Sequence, residues 1–462
     1  MNADPTFYDS LLGVLNNIDS IAWGKPMIVM LIGTGIFMSV RLKFVQLRKM
    51  RHAVHVIMGK YDDPTHRGDI SHFRALASAL SATIGIGNIA GVATAIHLGG
   101  PGAVFWMWVT ALFGMSLKYA GCMLSLKHRV FLSDGQASGG AMYYLTRGLG
   151  QKWLGVLFAV FTVIASFGIG NMTQANSVAI PLNTYLHVPR VATGIILAVL
   201  VAAVIIGGIK RIGAVAGAIV PFMALVYIGG ALVILVANAE GILPGLKLIF
   251  ANAFTGTAKV GGFTGAAVAQ TIQFGVARGL FSNEAGLGSA SMVHAAAKTE
   301  EPAREGLVAM MGPFIDTIII CTMTALVIVT TGQWQSGLTG SELSIAAFNA
   351  GVPQFGKFIV NFGLIFFAFS TIIAWSYYGD RGAIFLFGEK AVHAYRWLYV
   401  LAIPLGATLE LDLVWTLSDI CNALMALPNL IGIVAMSGVV VAVTNDYLKR
   451  TPMKPPPRRI RI

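Results

Sequence analysis

Ala82-Thr-Ile-Gly-Ile-Gly-Asn-Ile-Ala-Gly91 and Phe281-Ser-Asn-Glu-Ala-Gly-Leu-Gly-Ser289 each fall in the middle of a long apolar segment, about 200 residues apart. Glycine inside a helix costs roughly 1 kcal/mol and leaves its backbone uncovered. In a bilayer, freed N–H and C=O groups persist only where they line a cavity or bind something. Two such interruptions at matching places in the two halves of a chain mark the binding site of an inverted-repeat secondary transporter.

Composition places the chain in a membrane. Of 462 residues, 56% are hydrophobic and only 11% charged, with 53 glycines spread throughout. A soluble domain carries about 25% charge. The start, Met1 to Lys25, lacks the basic head and small-residue cleavage site of a signal peptide and reads as a short surface helix. Cys122, Cys321 and Cys421 lie far apart in apolar segments, so they read as buried hydrophobes rather than a disulfide or zinc set.

Apolar runs of about 20 residues span a bilayer. Eleven are expected, at 26–41, 72–97, 103–127, 152–176, 190–209, 212–237, 263–296, 305–331, 354–379, 392–409 and 413–445. Two of them, 72–97 and 263–296, hold the breaks, and the second of these is the longest of all, as an interrupted helix requires. The net charge of +12 is clustered in particular loops, which indicates orientation rather than nucleic-acid binding. With the N-terminus outside, 25 of the 32 Lys/Arg lie on the inner side, giving N-out and C-in in an inner or plasma membrane. The expected organisation is 1–69 (N-terminal segment, first span and basic inner loop), 70–237 (first five-helix repeat), 238–261 (outer loop), 262–445 (second five-helix repeat) and 446–462 (basic tail). An odd number of spans per half inverts the second half relative to the first.

Four stretches stand out: Gly100-Pro-Gly-Ala-Val-Phe-Trp-Met-Trp-Val-Thr-Ala-Leu-Phe-Gly-Met-Ser-Leu-Lys-Tyr119, Gly85-Ile-Gly-Asn-Ile-Ala-Gly-Val-Ala-Thr94, Gly170-Asn-Met-Thr-Gln-Ala-Asn-Ser-Val178 and Ser282-Asn-Glu-Ala-Gly-Leu-Gly288. Together they resemble the alanine or glycine:cation symporter family. The resemblance covers essentially the whole chain. It implies an all-α LeuT-like fold of about eleven spans and sodium-driven uptake of alanine, glycine or a similar small neutral amino acid. Where the family often has Gly-Thr-Gly-Asn, this chain has Gly85-Ile86-Gly87-Asn88, so that threonine's hydroxyl is missing.

An amino-acid zwitterion needs acceptors for its ammonium and donors for its carboxylate, and unwound backbone supplies both. Thr83, Gly85, Gly87 and Asn88 of the first break are candidates for the substrate site, with Asn88 also a favoured helix cap. Asn283 is the candidate from the second break. Glu284 either balances the ion's charge or pairs with Arg278 structurally. By resemblance Gln174 faces the substrate, while Asn176 follows it on the same span. Gln273 and Phe274 form a wall or pack against a neighbour, and Trp375 closes the pocket or anchors an interface. The resemblance also implies a sodium site in which hydroxyls of Ser370 and Thr371 join backbone carbonyls of the first break, at Ile84 and Gly87. Lys118 is expected to snorkel toward the interface, and Asp316 has no partner evident in sequence.

His52 and His55, one turn apart in a basic loop, make a poor metal site. No Walker sequence, catalytic triad or organic-cofactor motif appears. The resemblance implies a small amino acid and sodium as partners beside the lipid, for a non-enzymatic chain whose oligomeric state the sequence leaves unknown, a monomer being the expectation. A proton-coupled carrier using Glu284, or an amino-acid-gated channel, is the competing reading.

Overall fold

Every backbone group inside a bilayer must be satisfied within its own segment, so an apolar chain of this composition folds as helices. The computed structural model describes residues 7–255 and 264–450. Its main helices are α1 (Phe7–Ala22), α2 (Lys25–Arg41), α3 (His72–Thr83), α4 (Val92–Gly99), α5 (Ala103–Lys127), α6 (Lys152–Phe167), α7 (Thr173–Leu186), α8 (Arg190–Ile205), α9 (Gly208–Ala237), α10 (Thr264–Asn283), α11 (Ala290–His294), α12 (Pro302–Ala309), α13 (Thr322–Thr330), α14 (Gly356–Phe387), α15 (Ala391–Thr408), α16 (Asp412–Ala435) and α17 (Ser437–Arg450). Among the described residues the sheet is one two-stranded ribbon, Val130–Phe131 with Ala137–Ser138.

Seven described helices are long and apolar enough to cross a membrane. A bent pair, His72–Thr83 with Gly87–Gly99, makes an eighth with a bend of 56°. α8 is apolar but short, and α10 and α15 occupy the remaining expected positions. The first span differs from expectation, because α1 and α2 together run as one apolar stretch from Ser10 to Arg41. α1 lies at the surface, as expected, with one side packed against α16. The segment 238–261 also contains a helix, Ala239–Thr255, held by the Trp106 indole N–H on the Ala253 carbonyl at 3.0 Å. The basic tail beyond residue 450 lies outside the described residues.

Both breaks form where the sequence places them, each for a local reason. α3 starts on Ser71, whose hydroxyl accepts the Arg74 N–H, and stops at Thr83. The Asn88 side chain then takes the Gly85 N–H at 2.9 Å, and a widened π-type turn, Gly87–Gly91, leads into α4. In the second break Glu284, Gly286 and Gly288 all adopt positive φ (52°, 90° and 90°), which no helix continues through. The stranded Gly286 carbonyl is satisfied by the Asn429 amide at 2.7 Å.

The broken helices run through the middle of the molecule. α10 lies against α4 and α5, α3 against α9 and α14, and α6 against α14 and α16. At the face carrying the basic loops, Glu305 of α12 accepts from Nδ1 of both His72 and His294, tying the inner halves of the two breaks together.

Candidate functional site

Midway through the fold the two breaks face each other across a narrow cleft of about 20 Å³. Thr83, Gly85 and Gly87 line it from the first break, and Phe281 and Glu284 from the second; Gln174 of α7, Thr371 and Trp375 of α14 and Asn422 of α16 complete the walls. Two acceptors there are buried without a donor: Oε1 of Gln174 and Oδ1 of Asn422. Gln174 is aimed by its amide, which donates to the Ile169 carbonyl at 3.0 Å. The indole N–H of Trp375 donates to Glu284 Oε1 at 3.0 Å, and the Ser289 hydroxyl holds the other oxygen. Gly170 lets the indole in, since a Cβ there would come within 2.5 Å of Trp375 Cβ.

Beside the cleft lies a second polar centre. Asp316 sits on a π-type turn, Phe314–Cys321, and is fully buried. Its Oδ1 accepts from the Asn88 amide at 2.7 Å; its Oδ2 accepts from the Ser282 and Thr317 hydroxyls, both at 2.8 Å. Both breaks thus converge on one carboxylate. π-type turns widen a helix and recur at functional sites.

A third cluster of oxygens forms where α3 crosses α14. The hydroxyls of Ser370 and Thr371 each reach the Ser81 carbonyl at 3.2 Å and the Phe367 carbonyl at 2.9 Å. The Ser81 hydroxyl in turn donates to the Ser370 carbonyl at 2.7 Å. Hydroxyl and carbonyl oxygens are the donor set of a hard cation.

Other candidates sit elsewhere. Asn88 holds the first break and Asp316 rather than lining the cleft. Asn283 donates to the Thr317 hydroxyl at 3.1 Å and accepts from the Ala285 N–H at 3.0 Å, outside the cleft lining. Gln273, Phe274 and Arg278 line a different space, beyond Phe281. Glu284 therefore pairs with Ser289 and Trp375, not with Arg278. Asn176 ties α7 to the Gly406 and Leu409 carbonyls. Lys118 does not snorkel to an interface; it is 5% exposed, shares a small cavity with Glu284 and Asn429, and its charge acts on Glu284 and Asp316. His52 is hydrogen-bonded to the Tyr447 hydroxyl at 2.8 Å.

Sequence reading missed Asn422 and Phe281 as walls, the Ser81 and Phe367 carbonyls as oxygen ligands, and the partners of Asp316. Asn422 carried one usable signal, an amide on a largely apolar helix that it shares with Asn429. The carbonyls carried none, because every residue has one.

The model of the sodium:alanine symporter family matches residues 8–459. The chain is 49% identical over 444 residues to the sodium/alanine symporter AgcS of Methanococcus maripaludis, covering 94% of this chain and 97% of that one. It is 36% identical to the probable sodium/glutamine symporter GlnT of Bacillus subtilis, over 96% of this chain and 91% of that one. In fold it is similar to MhsT, solved with L-phenylalanine, at a TM-score of 0.61 and 12% identity, over 82% of this chain and 93% of the other.

Proposed function

The chain belongs to the sodium:alanine symporter family, and from that premise, which makes it a cation-coupled amino-acid symporter of a membrane and not an enzyme, we propose that sodium drives its uptake of alanine, glycine or another small neutral amino acid. The observation that carries the reading is the cleft between the breaks, where Gln174 Oε1 and Asn422 Oδ1 are buried acceptors without donors. An ammonium supplies the missing N–H groups, and leaving such acceptors unpaired costs about 1–3 kcal/mol each. Backbone of the first break lines the same cleft beside Gln174 and offers N–H groups to the carboxylate, with the half-helix dipole in support. Phe281 and Trp375 close over the cleft and favour a short side chain.

Two places suit sodium. One is Ser370 and Thr371 with the Ser81 and Phe367 carbonyls, where Ile84 lies one turn further along the first break. The other is Asp316, reached by Asn88 and Ser282. Glu284 shares a small cavity with Lys118, and Asp316 is buried on hydrogen bonds from neutral groups, so ionising both acids leaves one negative charge more than Lys118 offsets. A buried excess of negative charge is costly, and a bound cation relieves it. With 70–237 and 262–445 as inverted repeats, N-terminus outside and C-terminus inside, alternating access follows from rocking about this midplane site. One charge crossing 100 mV gains about 2.3 kcal/mol, enough for roughly fifty-fold accumulation before the sodium gradient is added.

Labelled L-alanine uptake into proteoliposomes, with an inward sodium gradient against equal choline at matched pH, tests this. Sodium-dependent accumulation competed by glycine supports it. Equal uptake in choline would remove sodium coupling and favour a proton carried by Glu284.

A further inference from the structure

Beyond Phe281 a second cavity, of about 150 Å³, opens between α1, α10 and α16, toward the end of the molecule opposite the basic loops. Phe281 lines both this cavity and the cleft, so its ring is the partition between them. Arg278, one turn earlier on α10, places its guanidinium 5.8 Å from the centre of that ring. Asp19 from α1 and Asp419 from α16 supply two carboxylates to the same cavity. Trp23 fixes α1 there by donating its indole N–H to the Asp419 carbonyl at 3.2 Å.

These three charges face one cavity without being joined. Among the described residues no ion pair links Arg278 to either carboxylate, although Arg278 acts electrostatically on both. Asp19 Oδ1, Asp419 Oδ1 and Arg278 Nε are each buried with no hydrogen-bond partner. Polar atoms buried unpaired are costly, so three around one cavity point to a ligand that completes them. The sign of the charges selects its class. A lone cation is repelled by the guanidinium, and a lone anion by two carboxylates. A molecule with an ammonium and a carboxylate close together meets both demands, and a guanidinium fork suits the carboxylate. A space of this size holds several waters, which is room for an amino acid with a short side chain.

We propose that Asp19, Arg278 and Asp419 form an outer binding site for a zwitterionic amino acid, in which the substrate is held before Phe281 admits it to the cleft. The proposal rests on the transport function proposed above, and it gives α1 a purpose: without that helix the cavity lacks one carboxylate and one wall.

The test uses the full chain in proteoliposomes with labelled alanine. Asp19→Asn and Arg278→Gln, shown by thermal melting to be folded, should each raise KM about ten-fold while maximal rate and half-saturating sodium change less than two-fold. Arg278→Lys should recover part of the affinity. Unchanged KM, or a fall in maximal rate alone, would overturn the site. A second measurement does not depend on transport. Thermal stabilisation of the Gln174→Leu variant by millimolar alanine, but not by methylamine or acetate, should persist and then vanish when Asp19→Asn is added. Stabilisation that survives Asp19→Asn would also overturn the site. Failure of the wild type to take up alanine strikes the assigned transport function instead, and leaves this stabilisation pattern to decide the outer site.

Discussion

Asn88 gives its side-chain amide to Asp316 Oδ1 at 2.7 Å, while its own carbonyl oxygen Oδ1 caps the Gly85 N–H at 2.9 Å. One side chain thus fixes the first break and orients the carboxylate that Ser282 reaches from the second. Whatever neutralises Asp316 acts on both broken helices at once, which is what coupling an ion to a conformational change requires.

Asp316→Asn keeps the shape and removes the charge. Half-saturating sodium is expected to rise at least ten-fold, a loss of about 1.4 kcal/mol in binding, with uptake recovering toward wild type at high sodium. Sodium titrations of alanine uptake measure it, and an unchanged sodium dependence would exclude Asp316 from the ion's path.

Removing one hydroxyl where α3 crosses α14 should weaken sodium and spare the amino acid. For Ser370→Ala and Thr371→Val the expectation is a several-fold rise in half-saturating sodium, since each loses one oxygen ligand. Equilibrium binding of alanine at saturating sodium should stay within about two-fold. Equal loss of both affinities would indicate collapse of the α3–α14 crossing instead.

Asn422 and Gln174 each offer the cleft an acceptor without a donor. Hydrogen bonds to a charged group contribute about 1.5–3 kcal/mol. Asn422→Leu and Gln174→Leu should therefore raise the alanine KM by roughly ten- to a hundred-fold, with sodium binding retained. Competition by glutamine separates a short-side-chain cleft from a longer one: weak competition is expected while Phe281 and Trp375 close the space.

Gly170→Ala puts a methyl within 2.5 Å of Trp375 Cβ. Overpacking of this kind costs about 1–3 kcal/mol. Because the displaced indole is the donor to Glu284, transport is expected to fall more than ten-fold while the melting temperature drops only a few degrees. A variant with normal uptake would mean the indole has another resting place.

His52 lies outside the spans, in the helix Met50–Ile57. Burial, with Lys49, Arg304 and His55 nearby, pushes its imidazole down from 6.5 to about 4. Between those values the unfolded chain holds a proton that the folded chain lacks. The contribution to stability is therefore full above 6.5 and lost as pH falls toward 4, by about 1 kcal/mol once solvent screening at this face is allowed for. Melting temperature should rise from pH 4.5 to 7, and His52→Gln should flatten that slope.

Much of the architecture was legible in the chain. Lengths of apolar sequence predict most of the spans, and glycine spacing locates both breaks to within a few residues. Both are local properties, governed by helix propensity and by the need to satisfy backbone in lipid. The first apolar stretch runs further than its expected bounds because the surface helix α1 joins α2 and rests on α16, far away in sequence. Lys118 was misread for a similar reason: its burial comes from helices packed over it that are distant in sequence.

The site shows the same division. Thr83, Gly85, Gly87, Gln174, Glu284, Thr371 and Trp375 were named from sequence, and they line one cleft. Asn283 and Phe274 were named too, but they turn to Thr317 and to the outer cavity. A residue's position along a helix is fixed by its neighbours in sequence, whereas the direction its side chain faces depends on which helices cross there.

The sequence by itself determined that this chain crosses a membrane on helices, that two of those helices are broken, and where polar atoms are freed. Only the tertiary structure decided which atoms meet. It joined Asn88 to Asp316 across 228 residues, left Gln174 and Asn422 without donors, and closed Phe281 between two cavities. The physical reason is range. Propensity and hydropathy act over a turn or two of helix, but hydrogen bonds and ion sites form between atoms about 3 Å apart, and that proximity exists only once the helices have packed.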